Sequence, residues 1–197
     1  MKTLLSRPVD ALMMEFDGYR QRISMSKKPS KPAFRAPAAV PPRIFTQGNL
    51  GIKSCRHGVM LYNLNDMFIG KALDLYGEWC NAELDSLGQI LRPGDIVLDV
   101  GANIGTHTVF FARKVAPGGI VYALEPQRFT FEILCANIAL NGLLNVIPLQ
   151  VGAGESAGSV CIPLLDPASP QNFGSLHILG HTAGDRVEVK PLDALEL

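Results

Sequence analysis

From residue 95 to residue 151 the chain alternates between two hydrophobic patterns. Short apolar runs, Ile96–Val100 (broken only by Asp99), Ile120–Leu124 and Val146–Val151, are bounded by turn residues. Runs of that length and composition read as strands buried in a parallel sheet. Between them, Thr106–Lys114 reads as a helix with Val109, Phe110 and Ala112 to bury, and Phe129–Leu140 as a second helix. Pro117-Gly118-Gly119 turns the chain back after the first, and Asn141-Gly142 closes the second. Strand, helix, strand, helix, strand predicts an α/β fold with right-handed crossovers.

On either side of this run the pattern changes. Ile52–Asn63 predicts two short strands turning near His57-Gly58. Asn65 or Asp66 is placed to cap a helix running to about Leu75, which Tyr76-Gly77-Glu78-Trp79 breaks. A second helix from about Asn81 to Leu91 carries Leu84, Leu87, Ile90 and Leu91 on one side, and Arg92-Pro93-Gly94-Asp95 turns into the central strand. After residue 155, Ser159–Leu164 and Val187–Pro191 read as strands flanking a proline- and glycine-rich stretch. Near the start, residues 8–23 place Val9, Leu12, Met13, Phe16 and Ile23 near one helical face, and Lys27–Pro42 reads as a basic, proline-rich linker. Three regions are therefore expected: a flexible extension over 1–43, a strand/helix preface over 44–94, and a core over 95–197.

Composition adds two constraints. Net charge is zero over the 197 residues, but residues 1–43 carry a net +6 and residues 44–197 a net −6. The basic arm has little aromatic interleaving, so nucleic-acid binding is not expected. Cys55, Cys80, Cys135 and Cys161 are isolated, which argues against a disulfide framework or a zinc knuckle and for a reducing, cytoplasmic setting. No apolar run approaches the ~18 residues of a membrane span. His177 and His181 stand four apart, but glycines flank them and no third ligand is near, so no metal site is expected.

The candidate chemistry lies where the first core strand meets the first core helix. Asp99-Val100-Gly101-Ala102-Asn103-Ile104-Gly105 breaks a strand at glycine and restarts it as a helix. Such a turn presents backbone N–H groups at a helix N-terminus, and glycine lets a ligand approach the backbone closely. This is the opening βα unit of a nucleotide-type site. A dinucleotide fingerprint starting at Gly101 would need glycines where Asn103 and Thr106 stand, and no G-K-[ST] closes a P-loop. Glu125 ends the second core strand twenty-four residues after Gly101, where a carboxylate can accept both hydroxyls of a ribose.

The string D-V-G-A-N-I-G, preceded by Tyr76-Gly77-Glu78-Trp79 and followed by Ala123-Leu124-Glu125-Pro126, resembles the FkbM-type methyltransferases. The resemblance covers roughly Gly51 to Leu197. It implies a Rossmann-like methyltransferase sheet, parallel, with helices on both faces. It implies S-adenosyl-L-methionine (SAM) as cofactor and a small-molecule acceptor, methylated on oxygen of a sugar or natural product. It places Gly101, Asn103 and Gly105 in the cofactor wall, has Asp99 orient the loop or the amino group, gives Glu125 the ribose, and brings Tyr76 and Glu78 against the site. For the two aromatics, Tyr76 and Trp79, packing of the preface on the core is the favoured role. Gly152-Ala153, with Glu155 as a weaker candidate, falls where the adenine pocket is expected. His107, in the first turn of the first core helix, reads as a capping or surface residue.

Residues 191–195 resemble the family's turn before a fourth core strand, and the chain reaches Leu197 there. The expectation is a half-sheet, incomplete at its C-terminal side, whose first strand has an open edge prone to self-association. Acceptor bases of the family come from beyond that strand, so no catalytic base is assigned. The alternative function is a non-catalytic remnant or interaction module that keeps the half-sheet.

Overall fold

The computed structural model describes residues 40–176 and 180–195, all within one compact unit. The helix predicted over 8–23, the linker up to residue 39, and His177 lie outside the described residues.

The preface is an antiparallel sheet ordered β1-β2-β3, with β1 at Arg43–Gln47, β2 at Leu50–Cys55 and β3 at Gly58–Asn63. The predicted hairpin is β2–β3, in register from Leu50↔Asn63 to Cys55↔Gly58. β1 was not expected, since all five of its residues are exposed and show no alternation of burial. It is held by pairing with β2 and by Arg43, whose guanidinium donates to both carboxylate oxygens of Asp74 at 2.6 and 2.7 Å. The Tyr62 hydroxyl donates to the same carboxylate at 2.9 Å. Asp66 acts as the predicted helix starter: its carboxylate accepts the N–H groups of Phe68 and Gly70 at the start of α1, Ile69–Tyr76. The next helix, α2, covers Asn81–Leu87 and turns inward at Leu84.

The core follows as β4 (Ile96–Val100), α3 (Thr106–Val115), β5 (Ile120–Leu124), α4 (Arg128–Leu140) and β6 (Val146–Leu149). The strands are parallel in the order β4-β5-β6, so the α/β class holds. Val97, Val121, Ala123 and Val146 form one face, beneath Phe110, Phe111 and Val115 of α3 and Leu134 and Ile138 of α4. Two crossovers of the same hand that step across a sheet in the same direction leave both helices on one side. The expected helices on both faces are thus realised on one face among the described residues. The reading of β4 as fully buried is corrected likewise. Strand alternation turns Ile96, Leu98 and Val100 to the other face, where they are 64%, 40% and 49% exposed.

A third, small sheet has the order β7-β9-β8, with β7 at Gly152–Ala153, β8 at Gly158–Ile162 and β9 at Asp185–Lys190. A 3-10 turn at Leu192–Ala194 follows β9.

Two asparagines on α4 fasten the preface to the core. Asn137, fully buried, accepts the Leu61 N–H at 2.7 Å and donates to the carbonyls of Leu61 and Ile104 at 3.0 and 2.7 Å. Asn141, one turn later, accepts the Val59 N–H at 3.1 Å and donates to the Val59 carbonyl at 2.7 Å. Val59 and Leu61 are alternate residues of β3, so two side-chain amides take the place of a neighbouring strand. Through the Ile104 carbonyl the same clasp reaches the turn that follows β4.

Candidate functional site

Three residues of the turn after β4 have left-handed backbone: Gly101 (φ +79°), Asn103 (φ +51°) and Gly105 (φ +86°). The two glycines serve different ends. A Cβ on Gly101 would meet no atom within 4 Å, and Gly101 lines an open cleft. A Cβ on Gly105 would lie 2.7 Å from Leu134 Cδ1, so this glycine lets the turn pack closely on α4. Asn103 supports its unusual dihedrals with its own side chain, whose Oδ1 accepts the Ile104 N–H at 2.8 Å.

Glu125 braces the turn from the neighbouring strand. One carboxylate oxygen accepts the Asn103 N–H at 2.9 Å, and the other accepts the Gln127 N–H at 2.8 Å. The residue is 7% exposed and faces the cleft. Burial pushes its pKa above the ordinary carboxylate range; the two N–H donors oppose that rise, and the charge of nearby Asp99 adds to it. Asp99 lies beneath the turn, outside the lining of the cleft, and accepts the Thr108 hydroxyl at 2.6 Å. Its pKa is raised by burial as well, against that hydrogen bond and the proximity of His107.

The cleft has a volume of about 290 Å³. Val100, Gly101 and Asn103 form one side, and Leu124, Glu125, Pro126 and Gln127 the floor, while Val151–Ala153 and Phe173, Gly174 and Leu176 close it. The last three come from the long stretch between β8 and β9, which the preface ties down. The amides of Asn49, Asn63 and Asn65 all donate to the Pro167 carbonyl, and Gln171 exchanges backbone hydrogen bonds with Asn65 and Met67. Phe173 is buried with its ring centroid 5.9 Å from that of Phe129. Gly174 sits directly over Asn103, since a Cβ there would lie 3.0 Å from Asn103 Nδ2.

Of the residues singled out from the sequence, Gly101, Asn103 and Glu125 converge on this cleft, with Gly152 and Ala153 opposite. Asp99 and Gly105 support it without lining it. Glu78 is elsewhere: it lines a separate small recess with Cys55, His57 and Trp79, and its carboxylate is 3.4 Å from Arg56 Nη1. Tyr76 is 65% exposed and lines neither, because α1 ends there with its ring outward, while Trp79 packs against the preface cluster around Met60 and Leu73. Glu155 is exposed outside the lining, and His107 faces Glu83 at 3.6 Å. Gln127, Val151 and Phe173 were not singled out. The signal for Gln127 was its place two residues after Glu125; Phe173 had none, since only the tertiary tie of its loop brings it in.

The sequence model of the methyltransferase FkbM domain matches residues 99–197, beginning at Asp99. The chain belongs to the FkbM methyltransferase domain family. Over shorter stretches the chain is also similar to individual proteins. It is 52% identical over 71 residues to the 31-O-demethyl-FK506 methyltransferase FkbM of Streptomyces tacrolimicus, covering 36% of this chain and 26% of that protein. It is 38% identical over 66 residues to the hexuronic acid methyltransferase AglP of Haloferax volcanii, covering 34% and 26%. Among solved structures, TYW2 of M. jannaschii in complex with AdoMet shares 24% identity over 54% of this chain and 45% of its own, with a TM-score of 0.43. The matched stretch spans about a quarter of the length of the curated relatives. Among the described residues, no helix is long and apolar enough to cross a membrane.

Proposed function

We propose that the described core is the cofactor-binding half of a SAM-dependent methyltransferase that transfers a methyl group to oxygen of a sugar or small natural product. In this reading residues 95–197 hold the cofactor and residues 44–94 form a preface that braces the site, after an N-terminal extension over residues 1–43. The single observation that carries the reading is the convergence of an open glycine and a buried carboxylate on one cleft. Gly101 leaves room where a side chain would stand, and Glu125 presents an acceptor-only group that the turn itself holds in place. The family match supports the reaction class, and two relatives, named for 31-O-demethyl-FK506 and for a hexuronic acid, support the acceptor class.

The residues fit such a nucleoside. Each oxygen of Glu125 uses one lone-pair direction on a backbone N–H and keeps another for a ribose hydroxyl. The apolar lining by Leu124, Val151 and Phe173 suits a purine face. Gly101 and Asn103 would flank the amino-acid portion, with Asp99 and Gly105 fixing the turn that carries them. SAM, when bound, supplies an activated sulfonium methyl, so the protein's part is positioning and, for a hydroxyl acceptor, removal of its proton. No residue of the described cleft is assigned that proton.

The test is transfer of a radiolabelled methyl group from SAM by the full-length protein to a panel of hydroxylated sugars and small natural products. Label in an alkali-stable methyl ether of one acceptor is the expected result. Label in protein or nucleic acid alone would overturn the acceptor class, and no incorporation with any acceptor would overturn the catalytic reading.

A further inference from the structure

We infer that the Gln127 side-chain amide is a second polar reader of the cleft, donating to a ring nitrogen of the bound purine. The inference rests on the nucleoside reading of the cleft given above. Gln127 is 6% exposed, and it lines the cleft two residues after Glu125. Its Oε1 accepts the hydroxyl of buried Thr130, which fixes the plane of the amide. Its Nε2, fully buried, has no hydrogen-bond partner among the described residues. A buried donor left unpaired is costly, and in a native protein it calls for a physical reason.

At Pro126 and Gln127 the backbone itself has no free donor for the cleft. Pro126 has no N–H to offer. The Gln127 N–H is already committed to Glu125. At the floor of the cleft the carboxylate of Glu125 can only accept, which suits hydroxyls, whereas a purine ring nitrogen has a lone pair and no proton and needs a donor. Gln127 Nε2 is a side-chain donor at that turn with no partner among the described residues. The amide also borders a second recess, beside Arg128, Phe129 and Glu132. There Arg128 is already bound to Asp185 at 2.7 Å, and the remaining walls, Ile162 to Leu165 and Pro167, are mostly apolar. The nucleoside cleft is therefore where the chemistry calls for the donor.

The experiment is a calorimetric cycle on the full chain with S-adenosylhomocysteine and its 1-, 3- and 7-deaza analogues. Gln127→Met keeps the shape and removes the amide; Gln127→Glu keeps an acceptor for Thr130 and removes both donors. Both variants are expected to bind S-adenosylhomocysteine about five- to tenfold more weakly, the scale of one neutral hydrogen bond. One deaza analogue should bind the wild type more weakly by a similar factor and Gln127→Met no more weakly than the parent ligand does, the non-additivity of a shared contact. A merely structural glutamine would not give that cancellation. Unchanged affinity in both variants, or deaza losses equal in wild type and Gln127→Met, would overturn the inference while Glu125→Ala still reports on the nucleoside reading. Absence of binding by the wild type would overturn both.

Discussion

Two strand edges of this chain meet opposite fates. β3 presents Val59 and Leu61 to the core, and Asn137 and Asn141 of α4 satisfy the N–H and C=O of each. β4 is bonded to β5 on one side, and on the other no strand or side chain pairs with it among the described residues. Its second face is open as well, with Ile96, Leu98 and Val100 exposed. A helix one turn of which carries two asparagines can end a sheet as completely as a strand can. An apolar edge strand without such a device remains a template for pairing. The candidate site lies between the two edges, at the C-terminal end of β4, and takes its rigidity from the sealed one: the Asn137 amide holds β3 and the Ile104 carbonyl of the glycine turn together.

The sharpest way to break the contrast is to unseal β3. Asn137→Leu leaves the Leu61 N–H and two carbonyls buried and unpaired, and should cost about 3–4 kcal/mol of stability, at roughly 1–3 kcal/mol for each strongly desolvated group. Urea denaturation measures it; a loss under about 1 kcal/mol would mean that water or a neighbouring group replaces the clasp. Asn141→Ala, nearer the surface, should cost about 1–2 kcal/mol by the same reasoning. Both variants should show faster amide exchange at Val59 and Leu61.

Blunting the open edge should act in the other direction. For the 197-residue chain we expect concentration-dependent self-association through β4. Leu98→Lys places a charge on the exposed face, and should shift light-scattering mass toward the monomer while changing stability by no more than about 1 kcal/mol. A chain that is monomeric before the substitution would remove β4 as an association edge.

The smallest effect is in pH. Burial raises the pKa of Glu125, so the folded chain keeps that proton to a higher pH than the unfolded chain. From the ordinary carboxylate value up through the raised one the native state binds more protons, and stability contributed by this group falls as pH rises. Acceptance of two hydroxyls needs the ionised form. Affinity for S-adenosylhomocysteine should therefore climb as pH rises from the ordinary carboxylate range through the raised pKa, while the unliganded chain loses a little stability over the same interval. A pH-independent affinity would show Glu125 ionised throughout.

These contrasts also mark where sequence pattern is informative. The core was legible because three apolar runs and two glycine turns are local signals, and β4 falls on Ile96–Val100 as read. Glu125 was legible because its distance from Gly101 reports a βαβ unit. The burial of β4 was misread because an apolar run looks the same whether or not a layer covers it. β1 escaped because its five residues are exposed and are held by a long-range pair, Arg43 with Asp74. Asn137 and Asn141 resemble ordinary polar positions of a helix, and only the fold shows what their amides face. Glu78 sits in a suggestive string, yet the chain carries it past the turn to Arg56 on another surface.

Gly101, Asn103 and Glu125 are proposed to form a SAM-type nucleoside site. Isothermal titration of the chain with S-adenosylhomocysteine, with NAD as the control ligand, and of its Glu125→Ala variant tests it most directly. Binding of S-adenosylhomocysteine without measurable binding of NAD is expected, with an affinity at least about tenfold weaker in Glu125→Ala, since a hydrogen bond to a charged group is worth roughly 1.5–3 kcal/mol. Equal affinity in the variant, or binding of NAD in preference, would contradict it.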